Sequence, residues 1–344
     1  LSQCSIMEYI RSGIRTGLAN GSLFGTIVNL RSRSVQVEEE LTKFSSEKET
    51  VITIGVFDGV HMGHKHLISK LLEAASKKSC LPVVITFQQH PEDLLTSAPK
   101  LPFLTDIETR TLLIRKEGID IVIPLTFSKE LANLGARRFI GLLQKYLKMR
   151  GMVIGSDFAL GKGREGDTET LRELGREMNF DVTVVPPLMI EGEIVSSTAI
   201  RKALADGDMK KYRKFTGRPF KLHGKVVTGS GRGEGLGFPT ANLDVNMGQA
   251  VPPDGVYAGL AYINGKTFQS MTNVGLCPTF ENNRRTIEAY LIDYSGDLYG
   301  RELTVDFIAR LRDEKKFDNE DDLKAQIAED IKRGKAVLES NSVN

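Results

Sequence analysis

In the first half of the chain apolar residues gather in short continuous runs, and segments of helical period separate the runs. Val51-Ile-Thr-Ile-Gly-Val-Phe57 is the first run and reads as a buried strand. Lys65 to Lys78 follows, with Leu67, Ile68, Leu71, Leu72 and Ala75 at helical spacing. The alternation then recurs. Strands are predicted over 81–87, 119–124, 152–155 and 181–186, and helices over 106–117, 129–149, 168–178 and 197–206, the last capped by Ser196 or Ser197. Apolar strands alternating with helices specify a doubly wound parallel sheet covered on both faces. Ligands of such sheets sit at the carboxyl ends of strands.

The pattern changes after Tyr212. A linker is expected over 213–219, around Phe215-Thr-Gly-Arg-Pro219, and short strands follow over 221–227, 255–263, 267–274, 285–293 and 302–310. Asn264-Gly265 between two of them is a hairpin signal. A last helix is predicted with Asn319 as N-cap, Asp322 in its first turn, and an apolar stripe of Leu323, Ile327 and Ile331. Short strands plus one helix predict a small antiparallel barrel, plugged or flanked by that helix. The expected organisation is an extension over 1–49, an α/β domain over 50–212, the linker, and a barrel domain over 220–340.

Composition narrows the class. The 344 residues carry 46 Lys+Arg against 44 Asp+Glu, a formal charge of +2, with 40% hydrophobic residues. These are globular values, and the balance argues against a nucleic-acid partner. No apolar run approaches the ~18 residues of a membrane span, so no membrane partner is expected either. Cys4, Cys80 and Cys277 are odd in number and far apart, which argues against a disulfide scaffold or a Cys-based zinc site and fits a cytoplasmic protein. Leu1 to Arg33 holds four Arg and one acid, Glu8. It reads as an upstream-extended start or cloning remnant, or as a transit-like segment, and the whole extension is expected to be disordered. No feature of the pattern sets an oligomeric state.

Candidate chemistry concentrates in two places. Three of the five His, His61, His64 and His66, fall within six residues, and His61-x-Gly63-His64 lies between a predicted strand and helix. A helix N-terminus offers free N–H groups and the positive end of the dipole. Gly55, Gly59 and Gly63 would let a triphosphate approach the backbone, and two imidazoles would donate to an α-phosphate as charge builds. The plainer reading is two solvent-exposed His at a helix start. In the second half, Gly229-Ser-Gly-Arg-Gly-Glu-Gly-Leu-Gly237 runs into Phe238-Pro-Thr-Ala-Asn242. Two further strings are decoys. Gly161-Lys-Gly-Arg-Glu-Gly166 spells a dinucleotide fingerprint, but Asp181 precedes the next strand where an acid should end it. Gly265-Lys-Thr267 ends like a phosphate loop, but Asn264-Gly265 already reads as a turn.

Gly55-Val-Phe-Asp-Gly-Val-His-Met-Gly-His64 resembles the HxGH signature of the nucleotidyltransferases, and more narrowly the bacterial bifunctional riboflavin kinase/FAD synthetase family. Thr86-Phe-Gln-Gln-His-Pro91, Leu125 to Ala132, Gly155 to Asp167 and Val195-Ser-Ser-Thr-Ala-Ile-Arg201 agree with it. The string Pro239-Thr-Ala-Asn242 is similar to that family's PTAN motif, and the Gly-rich stretch to its phosphate-covering loop. The resemblance covers about 51–338. It implies an HxGH-type N-terminal domain that transfers AMP from ATP to FMN, with His61, His64 and Arg201 as catalytic residues and Gly55, Phe57, Asp58, Gly63, Asp157, Ser197 and Thr198 around the nucleotide. It implies a C-terminal domain that phosphorylates riboflavin, with Gly231, Gly233, Gly235 and Gly237 on the phosphates, Thr240 and Asn242 holding Mg²⁺ and phosphate, and Glu288 as base. ATP would be co-substrate, and riboflavin, FMN and FAD the other small-molecule ligands. Three residues depart from the family pattern: Val56 where Asn is usual, Gln89 where Pro is usual, and Leu160 where an aromatic is common. Val56 keeps a second reading open, in which one half is catalytic and the other only binds flavin or nucleotide. A nucleotidyltransferase for another phosphorylated vitamin would explain HxGH but neither PTAN nor Glu288.

Overall fold

The computed structural model describes residues 35–95, 101–229, 231–246, 248–276 and 285–341. In the first half β1 (Thr50–Gly55), β2 (Leu81–Phe87), β3 (Ile121–Leu125), β4 (Met149–Gly155) and β5 (Asp181–Val185) form an all-parallel sheet in the order β3-β2-β1-β4-β5. Strand alternation divides the core. Ile52 and Ile54 of β1 face a cluster with Val37, Leu41, Ile140 and Leu171, while Val51 faces one with Ile68, Leu71 and Ile114. Those partners come from α1 (Val35–Thr42), α2 (Met62–Lys77), α3 (Ile107–Lys116), α4 (Ala136–Leu147) and α5 (Thr168–Met178). The strand order reverses between β1 and β4, so the crevice at their carboxyl ends is where such a sheet takes ligand.

Three expectations are revised. Residues 35–49 are part of the fold: α1 packs Leu41 into the core at 0% exposure. Residues 1–34, and with them Cys4, lie outside the described residues, as does Cys277. The helix expected over 129–149 is broken into a turn of helix at Lys129–Ala132 and α4, because Glu165, 29 residues away, accepts the amide of Ala136 at 2.7 Å and starts a new helix there. The segment expected as a linker begins inside a helix, Met209–Thr216 (α7), which follows Ser197–Ala205 (α6) and buries Tyr212 and Phe215 at 2% exposure each.

After the sheet, β6 (Met189–Ile190) and β7 (Glu193–Ile194) pair as a short antiparallel hairpin. The second half is a closed antiparallel barrel of β8 (Phe220–Val227), β9 (Ala241–Val245), β10 (Gly255–Ile263), β11 (Lys266–Leu276), β12 (Arg285–Leu291) and β13 (Glu302–Arg312), in the order β10-β11-β12-β9-β8-β13. Asn264 and Gly265 both have positive φ, +49° and +73°, which is the two-residue turn expected between β10 and β11. The last helix, α8 (Glu320–Asn341), flanks the barrel, and Asn319 caps it by accepting the Asp322 amide at 2.8 Å. Its buried line is Asp330, Gly334 and Leu338; Leu323, Ile327 and Ile331 are only half-buried. The helix is set by Arg312, whose guanidinium donates to both carboxylate oxygens of Asp330 at 2.7–3.0 Å.

The halves share one core. Ile200, Leu204, Tyr212 and Phe215 pack in the same cluster as Phe220, Tyr257 and Phe307 of the barrel. Phe103 adds a strap: its amide donates to Gly248 at 2.8 Å and its carbonyl accepts from Ala250 at 2.7 Å.

Candidate active sites

The turn after β1 has an unusual backbone. Phe57, Gly59 and Val60 have φ of +53°, +79° and +36°, and only the glycine takes such an angle without strain. A Cβ at Gly59 would also meet Leu104 at 2.9 Å. The turn delivers His61 as N-cap of α2, where Nδ1 accepts the His64 amide at 3.2 Å. That bond leaves Nε2 of His61 as the protonated, donating nitrogen. The two imidazoles stack with centroids 3.5 Å apart and 19° between planes. Both are held neutral. Burial drives His61 down to about 4, opposed by Asp58 and reinforced by the Arg218 and Arg201 charges. Burial also pushes His64 well down, with His61, Arg110 and Arg218 adding to it. The pair therefore offers two neutral N–H donors at the positive end of a 16-residue helix. Gly63 fits between His61 and Val195, whose carbonyl would lie 3.0 Å from a Cβ there.

Asp58 lies under this turn, not on its open side. At 1% exposure it accepts the amides of Leu104 and Thr105 at 3.0 Å each, the Thr105 hydroxyl at 3.3 Å, and the Arg201 guanidinium. Arg110 approaches it to 3.5 Å. Burial alone would raise its pKa, but His90, the Leu104 amide and the Arg110 and Arg201 charges outweigh burial and hold the carboxyl below its usual range. Arg201 likewise directs its guanidinium onto Asp58 and to 3.0 Å from His90 Nε2. His90 stacks on Phe103 of the strap at 4.6 Å.

The start of α6 closes the same crevice. Ser196 is the cap, accepting the Ala199 amide at 3.2 Å, and Ser197 donates to the Asp58 carbonyl at 3.1 Å. Thr198 is exposed. Gly55 ends β1 and Gly155 ends β4, so the exposed Asp157 stands on the other side of the switch point from His61. Val56 sits between: its carbonyl accepts the Thr86 hydroxyl at 2.9 Å, a bond that any side chain at 56 permits.

In the barrel, Gly231, Gly233, Gly235 and Gly237 lie on or beside a single turn of helix, Arg232–Gly235, ahead of β9. The Phe238 amide donates to the Gly233 carbonyl at 2.8 Å and folds the loop back over the motif. A Cβ at Gly233 would come within 3.2 Å of Thr240 Oγ1, and one at Gly229 would overlap the Asn242 amide. Asn242 is directly opposite Glu288 in the β9–β12 register, both half-buried, so the cluster sits on adjacent strands.

The sequence missed three residues here. Arg218, from the supposed linker, donates to the carbonyls of Gly59 and Val60 and pins the turn from the barrel side. Arg110, at 0% exposure, donates to Phe87 and Thr105 carbonyls at 2.8 and 3.0 Å. Thr105 gives the Gly59 amide its acceptor at 3.0 Å. An arginine on a helix or in a Gly-Arg-Pro string carries no local mark of such a partner. Among the described residues no group of three or more His, Cys, Asp or Glu is placed to hold a metal, and no helix is long and apolar enough to cross a membrane.

Comparison with known proteins agrees with this division. The FAD synthetase family profile matches residues 43–199 and the riboflavin kinase profile residues 216–338. A bifunctional riboflavin kinase/FMN adenylyltransferase of Escherichia coli K12 is 37% identical over 282 residues, covering 81% of this chain and 90% of that one. The enzyme of that name from Bacillus subtilis is 32% identical over 289 residues, covering 83% and 91%. A crystal structure described as a macrolide-efflux protein from Streptococcus pneumoniae superposes with a TM-score of 0.80 at 31% identity, over 86% of this chain and 96% of that one.

Proposed function

The chain belongs to the family of bifunctional riboflavin kinase/FMN adenylyltransferases, and from that premise we propose that its two sites run consecutive steps, the barrel making FMN and the α/β half converting it to FAD. The observation that carries this reading is the presence of two separate polar clusters in one chain, the stacked His61–His64 pair at the start of α2 and the Asn242–Glu288 pair beside a glycine loop.

In the barrel, Glu288 takes the proton of the riboflavin 5′-hydroxyl as that oxygen attacks the γ-phosphorus of ATP, and ADP leaves. Thr240 and Asn242 bring neutral oxygen donors, and the side-chain-free glycines at 229 and 233 leave them uncovered. That donor set suits Mg²⁺, which takes hard oxygen ligands and keeps phosphates and waters in its shell. When bound, the ion would offset charge on the ATP phosphates. Gly231, Gly233, Gly235 and Gly237 would lie against those phosphates.

In the α/β half, an FMN phosphate oxygen attacks the α-phosphorus of ATP and pyrophosphate leaves, so no enzyme base is required. Here the work is positioning and charge stabilisation. His61 and His64 donate N–H groups to the α-phosphate as its charge rises. Gly55, Phe57 and Gly63 shape the crevice, and Asp157, Ser197 and Thr198 border it. Asp58 and Arg201 act as positioning residues, holding the strained turn from beneath. The work fits a cytoplasmic setting.

The test is a flavin product profile. Purified chain with riboflavin, ATP and Mg²⁺ should give FMN, then FAD, by chromatography. FMN that accumulates without FAD would confine catalysis to the barrel. No conversion of either riboflavin or supplied FMN would overturn the reading.

A further inference from the structure

The far edge of the parallel sheet holds a feature that neither reaction uses. At the amino-terminal ends of β1, β2, β4 and β5 an open cavity of about 850 Å³ lies between the sheet and α5. Its charged wall is Lys78, Arg150, Arg172 and Arg176 against Glu49 and Asp181. Glu49 takes Arg150 at 2.7 Å and Asp181 takes Lys78. Both acids are thereby occupied. Arg172 and Arg176, one helical turn apart on α5, have no ion pair or hydrogen bond among the described residues. Glu177, the acid next to Arg176, is held by Arg137 of α4. The floor is Gly175, Phe180 and Val182. Six residues of β1 separate this cavity from the His61 turn, roughly 20 Å.

We propose that this cavity is a second anion site, which takes a small phosphate-bearing molecule with its phosphate on Arg172 and Arg176. Three features argue for it. Its volume lies in the range of ligand pockets, roughly 300–1,000 Å³. Two guanidinium forks on one helix face match phosphate oxygens in geometry as well as charge. The local excess of two cations is fully accounted for by the pair that lacks partners. No residue of either active site takes part, so the site stands or falls independently of the reading above.

Cys80 lines the cavity and gives a reporter that the active sites do not touch. Its thiol is half-exposed, donates weakly to the Lys78 carbonyl at 3.5 Å, and burial pushes its pKa up, so alkylation is read at mildly alkaline pH. The measurement is the rate of Cys80 alkylation by iodoacetamide, resolved by peptide mass spectrometry, against inorganic pyrophosphate. Pyrophosphate at ten times its Kd should slow Cys80 by about tenfold. The slowing should persist in His61→Ala, which removes the front-site donor, and vanish in Arg172→Glu/Arg176→Glu, whose side chains are exposed. Absence of any slowing in the wild-type chain overturns the proposal, as does equal slowing in the double variant. Should Cys80 react too slowly to follow, amide exchange across 172–182 with and without pyrophosphate decides the same two outcomes.

Discussion

Replacing Asp58 with asparagine separates a scaffold role from direct contact with the nucleotide. The carboxylate receives two backbone amides, one hydroxyl and one guanidinium, with the fully buried Arg110 at 3.5 Å. Asparagine keeps one acceptor oxygen and turns an NH₂ group toward the donors of the other, so two donors, a buried backbone amide among them, lose their acceptor. Breaking a buried charge pair from one side costs ~3–5 kcal/mol, and a stranded buried amide ~1–3 kcal/mol. The two overlap at one carboxylate, so about 4 kcal/mol is expected in place of their sum. In a chain of this size that lowers Tm by about 6 °C. Scanning calorimetry beside separate FMN- and FAD-forming assays reads the outcome. Asp58→Asn should melt early and lose FAD formation through kcat, because the His61 turn is no longer held. A variant that melts within about 2 °C of wild type while its KM for ATP rises would refute the argument and make Asp58 a nucleotide ligand.

His61→Ala or His64→Ala should cut FAD formation by on the order of 10²–10³ and leave FMN formation intact; equal loss of both would sink their assignment to one site. Glu288→Gln should do the reverse, lowering riboflavin phosphorylation by about 10²–10⁴ while supplied FMN is still converted to FAD. Stability should also depend on pH in a window set by His61. Its folded pKa of about 4 lies below the ~6.5 of an unfolded chain, so the unfolded state binds the proton first. Stability is therefore flat above about pH 6.5 and falls from there toward pH 4, by roughly 3 kcal/mol for this group alone. Asp58, held below its ordinary value, contributes loss only at still lower pH. Urea titrations between pH 4.5 and 7 check this, and a slope unchanged in His61→Gln would refute it.

The elements that were legible in the sequence are those whose signal is local. The strand at 81–87 and the helix at 168–178 fall on their expected residues because each is bounded by turn or cap residues and carries its own period. The strand β9 went unread because its five residues carry Asn and Asp on the half-exposed face. Four basic residues hid the apolar Met209, Tyr212 and Phe215 of α7, whose reason to be helical is the barrel they pack against. The site shows the same division. Both His and the glycines are visible as a string. The use of Asp58 as a buried anchor rests on partners 46, 47 and 143 residues away, and no local spacing encodes that.

The shared core has a consequence for anyone who would recombine these enzymes. The obvious place to join one relative's front half to another's barrel is the Gly-Arg-Pro string at 217–219. A crossover there keeps α7 with the donor of the front half, but strips its Tyr212 of the Phe220 ring it meets edge-on. A crossover before Met209 keeps that packing but leaves the donor's HxGH turn to be gripped by a foreign Arg218. Either hybrid carries one mismatched seam, so no single crossover between Met209 and Pro219 leaves both catalytic units on native supports.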